Sequence, residues 1–161
     1  MKIHKNYISK QKAKKLYDIT KAIKYTRSYG FRKRMGSNKN RNLSDYYYAR
    51  WDKFPAIVKA EYESCVPNEV TQNVLSASFL KLEKDCLLDE QNTWANDTPY
   101  IASFLSIALR NKQTILINGE KHVLNAGDAI RFDIDDLHEI PRVQSENAWQ
   151  INMISKHIQI G

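Results

Sequence analysis

Residues 113–155 read QTILINGEKHVLNAGDAIRFDIDDLHEIPRVQSENAWQINMIS, and this stretch decides the fold class. Apolar and polar residues alternate weakly over Thr114–Ile117 and clearly over Ala129–Ile134, the period of half-buried strands. Asn118-Gly119 and Gly127-Asp128 punctuate the runs. Asn-Gly is a strong two-residue hairpin signal, because both central positions of the favoured turns need positive φ. The expectation is a small antiparallel barrel, with a loop after Ile134 that delivers one histidine, His138, to its mouth.

Working backwards, Tyr100–Leu109 is almost wholly apolar or small, as suits a central strand covered on both faces. Gln72–Leu82 is expected to be a further strand, with Asp85–Pro99 a polar loop between the two. Pro55 suits the first position of a helix over Ala56–Cys65, with Ile57, Val58 and Tyr62 towards the sheet. Ser9 is a natural N-cap for a helix whose Leu16, Ile19, Ala22 and Ile23 form one apolar stripe. Ser28–Asn42 places Arg32, Lys33, Arg34, Lys39 and Arg41 among Gly, Ser and Asn, and reads as a long basic loop. The expected order is two helices and that loop, then seven or eight strands: an α+β chain. We read residues 1–161 as a single domain, with 1–66 a helical basic lid region and 67–161 the strand-rich core.

Charge divides the chain. Its net +7 combines +13 over residues 1–53, from 16 Lys/Arg and 3 Asp/Glu, with −6 over residues 54–161, from 9 and 15. A basic front on an acidic body suits a polyanion, with nucleic acid the leading partner. The alternatives are an arm that confers solubility or pairs with the body. Tyr46, Tyr47, Tyr48 and Trp51 follow the basic loop, where rings beside cations can stack on bases. At least half of these rings are expected to anchor the loop to the core instead. Ser103 and Ser106 interrupt the longest apolar run, so no membrane span is expected. Two cysteines, Cys65 and Cys86, make neither a disulfide framework nor a zinc set. Reduced thiols and no secretory signal lead to the expectation of a cytoplasmic protein.

His138 is the sharpest chemical candidate. Neutral imidazole at a barrel mouth binds metals, but a site needs further ligands, and a lone histidine is more often structural. Asp89 is the best distant partner. His4, His122 and His157 show no ligand spacing with His138, and His122 is expected mid-strand and exposed. No phosphate-binding glycine loop, nucleophile elbow or paired-cysteine motif occurs.

Five stretches, NVLSASF (73–79), PYIASFLSIAL (99–109), VLNAGDAIRF (123–132), LHEIPRV (137–143) and WQINMIS (149–155), resemble the 2-oxoglutarate/Fe(II)-dependent dioxygenases of AlkB-like type. The resemblance implies a double-stranded β-helix, or jelly-roll, core with an N-terminal nucleotide-holding lid. It implies Fe(II) and 2-oxoglutarate as cofactors, and it assigns the distal iron-binding histidine to His138. The family's His-x-Asp falls at Asp89-Glu90-Gln91, where Asp89 could ligate and Gln91 would do so poorly. The asparagine and tyrosine that hold the cosubstrate fall at Ala77 and Phe79, and the arginine that pairs with its far carboxylate falls at Gln150. Arg131 or Arg142 would have to substitute, since an unpaired buried carboxylate costs about 3–5 kcal/mol.

These departures imply a catalytically degenerate relative, a pseudoenzyme with Fe(II) and 2-oxoglutarate or with no cofactor, whose basic region faces nucleic acid. Arg32, Lys33, Arg34, Lys39 and Arg41 would meet phosphates, and Tyr46, Tyr48 or Trp51 would stack on bases. Two alternatives stand beside it. One is an active oxygenase with a variant metal site built on His138 and Asp89. The other is a cupin-like small-ligand or protein-interaction module gripping an acidic partner protein. The Lys-, Asn-, Ile- and Tyr-rich composition also suits an AT-rich genome such as a bacteriophage's.

Overall fold

The computed structural model describes residues 1–21, 23–29, 44–68, 74–91, 102–110, 112–133, 135–144 and 150–158. Eleven strands are described: β1 (Lys2–His4), β2 (Thr26–Tyr29), β3 (Asp45–Arg50), β4 (Val74–Leu82), β5 (Leu88–Gln91), β6 (Ala102–Ala108), β7 (Gln113–Ile117), β8 (Glu120–Leu124), β9 (Ala129–Asp133), β10 (His138–Ile140) and β11 (Gln150–Ile158). Helices α1 (Lys10–Thr20) and α2 (Ala56–Cys65) join them, with a 3-10 turn at Trp51–Lys53. The strands form a seven-stranded sheet in the order β1-β9-β6-β11-β4-β3-β2 and a four-stranded sheet in the order β5-β10-β7-β8. Every pairing among the described strands is antiparallel.

Two apolar clusters make three layers of this. Ala13 and Leu16 of α1, with Val58, Tyr62 and Cys65 of α2, pack with Phe79, Leu105, Ile107 and Ala129 on one face of the large sheet. The other face sends Leu80, Leu82, Ala108, Ile130 and Phe132 against Leu88, Ile115, Ile117, Leu124 and Ile140 of the small sheet. Strand alternation explains the split: Phe79 and Leu80, neighbours on β4, belong to opposite clusters. Cys65 and Cys86 are free and buried in different clusters, one on each side of the large sheet.

The eight strands from β4 onwards match the seven or eight expected, and β6 is central in the large sheet. The front of the chain needs correction. Residues 1–66 contain three strands as well as helices: β1 extends one edge of the large sheet, and β2 with β3 extends the other. Ser28, read as loop, lies in β2. These strands are too short to show a period, and their apolar face appears only once they pair. The helix at Ala56–Cys65 forms as expected, with Pro55 one position earlier, as its N-cap. Val58 and Tyr62 are buried, but Ile57 points to solvent, 77% exposed. Ser9 caps α1, its hydroxyl accepting from the Lys12 amide at 3.1 Å.

Both turns quoted at the outset are present. Asn118 and Gly119 take positive φ, +49° and +81°, joining β7 to β8. The turn between β8 and β9 also docks the amino terminus. The Ile8 amide donates to the Gly127 carbonyl at 3.1 Å, and the Asp128 carboxylate accepts from the Asn6 amide at 2.9 Å and the Asn125 amide at 3.0 Å. Lys5 adds an ammonium 3.3 Å away.

Burial alone would push the Asp128 carboxyl up, but the two amides and Lys5 outweigh it and hold it below its ordinary value. A depressed carboxyl contributes stability above its unfolded pKa of about 3.9, lost as pH falls through the lower folded value. Asp128→Asn should therefore cost about 1.5–3 kcal/mol at pH 7, and less at pH 3. Urea unfolding of both proteins at the two pH values checks this, and an equal gap at both would refute it.

Candidate functional site

His138 opens β10 and is buried, 7% exposed, between the two sheets. Its ring lies 5.1 Å from that of Phe132 and 5.9 Å from that of Phe104, and these two phenyl rings stack at 5.2 Å. The acidic loop before it is structural. Asp136 accepts from the Asn118 side-chain amide and from the Asp133 backbone amide, both at 2.9 Å. The Leu137 amide donates to the Asn118 side-chain oxygen at 2.9 Å, and the Asn118 amide donates to the Leu137 carbonyl at 2.7 Å. The Asn-Gly hairpin thus clamps the loop that carries His138. The imidazole Nδ1 stands 3.5 Å from the Asp136 carbonyl oxygen.

Asp89, read as part of a polar loop, lies in β5. That strand pairs with β10, so the fold brings the two candidate ligands onto neighbouring strands. Gln91 is paired with His138 and Leu88 with Ile140, with an irregularity between, and Asp89 falls in that interval. Asp89 is 5% exposed. Its amide donates to the buried Ser44 hydroxyl at 2.8 Å, and its carboxylate accepts from the Glu90 amide at 3.0 Å. The small strand was missed because LDEQ has no apolar alternation of its own.

The remaining positions are dispersed. Phe79 packs into the helix-side cluster rather than between the sheets. Arg131 alternates with Ile130 and Phe132 and pairs with Leu105, which puts it on the helix-covered side. Arg142 is exposed and donates to the Asp85 carbonyl at 3.4 Å. Gln150 starts β11, paired with Leu82. His4 pairs with Ala129 at the edge of the large sheet, its ring 5.4 Å from Tyr7. His122 is half-buried, contrary to the exposed position expected, and it lies two strands from His138 on β8. Its Nε2 is buried without a partner, as are both amide atoms of Gln113, a fully buried residue on β7.

Fe(II) in a facial triad needs two imidazoles and a carboxylate on one metal. Among the described residues no group of three His, Cys, Asp or Glu is placed to hold a metal. One imidazole beside one carboxylate, with an amide residue paired to the imidazole, does not make up that donor set. Gln113 could hydrogen-bond a carboxylate but not neutralise it.

Of the proposed nucleic-acid contacts, Arg32, Lys33, Arg34, Lys39 and Arg41 lie outside the described residues. Trp51 is an anchor: it meets Phe54 and Tyr62 edge-on at 5.5 and 4.9 Å, under the Lys59 ammonium at 5.6 Å. Tyr46 and Tyr48 are half-buried on β3, 6.3 Å apart, against the cluster between the sheets. Tyr48 faces a groove of about 500 Å³ lined also by Lys24, Thr26, Ala49, Arg50 and Lys53. This basic lining went unread, although Arg50 and Lys53 flank the aromatic run. No helix among the described residues is long and apolar enough to cross a membrane.

No family model and no curated protein matches the sequence. Solved structures do match. The chain is similar to a Pseudomonas putida prolyl-4-hydroxylase (TM-score 0.65, 9% identity, 99% of this chain and 92% of that one). It is similar to HygX from Streptomyces hygroscopicus, solved with nickel and 2-oxoglutarate (TM-score 0.67, 7% identity, 98% and 82%). It also resembles SnoN, the non-heme α-ketoglutarate-dependent epimerase from nogalamycin biosynthesis (TM-score 0.69, 9% identity, 98% and 76%). At these identities the likeness is one of fold: the chain has the jelly-roll fold of 2-oxoglutarate-dependent oxygenases.

Proposed function

We propose that the chain is a catalytically degenerate protein on the oxygenase jelly roll, related to the AlkB-like type, whose basic N-terminal region binds nucleic acid. The observation that carries this reading is the backbone register of β5 and β10, which sets a glutamine, Gln91, opposite His138 where the resemblance calls for a ligand. An amide is a weak ligand for Fe(II), and neither His4 nor His122 lies on a strand beside His138. The charge division supports the nucleic-acid half of the reading.

Anaerobic titration with Fe(II) and Mn(II), followed by metal analysis and a 2-oxoglutarate turnover assay, tests the first half. Expected are well under one metal per chain, no change on His138→Ala, and no turnover. One metal per chain, lost on His138→Ala and accompanied by 2-oxoglutarate consumption, would overturn it. The burial of Asp89 on the strand beside His138 favours a second reading, a variant centre on those two residues, and the same overturning result with dependence on Asp89 would establish it. For the second half, affinity for nucleic acid should fall steeply with salt. Binding absent at low salt, or indifferent to salt, would remove that half.

A further inference from the structure

We infer that the groove bounded by Lys24, Thr26, Tyr48, Arg50 and Lys53 is a binding site for single-stranded nucleic acid. The inference rests on the nucleic-acid reading above and adds a described surface to it, separate from the basic stretch at 32–41. Three cations converge on one concavity of about 500 Å³, and no acidic residue among the described ones lines it. Lys24, Arg50 and Lys53 are exposed, and none makes an ion pair among the described residues. Several other cations of the described surface are matched by acids, Lys14 and Lys21 with Asp18, Lys15 with Glu61, Arg27 with Asp45 and Lys81 with Glu83, whereas all three at the groove are left to solvent. Unmatched positive charges gathered in a concave site repel one another, and an anion relieves that repulsion.

Three features select the kind of anion. Tyr48 forms part of the wall, and the Arg50 guanidinium lies 5.9 Å from its ring centroid, so a flat aromatic surface stands beside the charges. Phosphates on the cations with a base against the ring is the pattern by which single strands are held. Thr26 faces Tyr48 across the β2–β3 pair and contributes a hydroxyl. These two strands are joined through residues 30–44, which carry Arg32, Lys33, Arg34, Lys39 and Arg41. The sequence between the two groove-lining strands is thus itself strongly basic. A duplex keeps its bases stacked internally and cannot use the ring.

The test is fluorescence anisotropy of a 15-nucleotide oligothymidylate with the full chain, over 20–300 mM salt. Three proteins are compared: wild type, the groove variant Lys24→Gln/Arg50→Gln/Lys53→Gln, and a control of equal charge change at exposed sites, Lys84→Gln/Lys112→Gln/Lys121→Gln. The groove variant should bind about tenfold or more weakly at low salt. Its log–log salt slope should be shallower by about 2, from three lost phosphate contacts. The control should stay within about twofold. Tyr48→Leu should weaken binding about tenfold and Tyr48→Phe should not. If the groove and control variants behave alike while wild type binds, the groove assignment is wrong and the nucleic-acid reading stands. If wild type does not bind at 20 mM salt, both fall. Equal competition by a duplex of the same length, or displacement by equimolar inorganic pyrophosphate, overturns the single-strand assignment.

Discussion

Phe79→Ala is expected to lower the free energy of unfolding by about 3–5 kcal/mol, among the largest single losses in the chain. Phe79 is completely buried on β4, the strand between β3 and β11 in the large sheet. Its ring stacks on Phe54 at 4.7 Å with 19° between planes, and Tyr62 meets it edge-on at 6.3 Å. One side chain thus joins the sheet, the 3-10 turn and α2. Truncation removes buried apolar area and leaves a cavity that three separate elements must collapse to fill. Phe79→Leu keeps most of the volume and should cost less than half as much. Urea unfolding at constant slope measures both. A loss below about 1.5 kcal/mol for alanine would mean that the helix layer is not fastened through this ring.

Gly127→Ala is expected to cost about 2–4 kcal/mol, several times more than Gly119→Ala at about 1 kcal/mol. Both glycines have positive φ, +92° and +81°, so both substitutions strain the backbone. They differ in surroundings. A Cβ on Gly119 meets open space, whereas one on Gly127 would collide with the Ile8 carbonyl oxygen. The Ile8 amide also donates to Gly127, so the chain before α1 cannot shift without losing that bond. Equal costs for the two variants would show that turn strain matters and the docking of the amino terminus does not. Exposure of residues 1–9 to protease in Gly127→Ala but not in Gly119→Ala would locate the damage directly.

Particular residues show what could be read in advance. Asn118-Gly119 announced its hairpin because the turn demands positive φ from adjacent residues, a local property. The α2 span was legible for the same reason, from Pro55 to the break at Pro67. Ile57 was misassigned because the helix turns it outward, which depends on how α2 sits on the sheet. Asp89 was placed in a loop because β5 exists only through its pairing with β10 and the bridge from Asp45 to Leu87. The roles of the aromatics could not be separated in sequence: Trp51 anchors, while Tyr48 lines a groove.

The sequence by itself determined the three strands at 113–117, 120–124 and 129–133, the turns between them, and the isolation of His138 from other histidines. Those features follow from period, from turn chemistry, and from which residue types are present, all readable over a few neighbours. Only the tertiary structure decided that His138, on the small sheet, lies against two stacked phenylalanines of the large one and is paired with Gln91. It alone decided that the basic front half supplies both outer edges of the large sheet. It alone gathered Lys24, Arg50 and Lys53 into one groove. Each of these is a meeting of segments distant in the chain, fixed by burial of apolar faces that no single segment can complete.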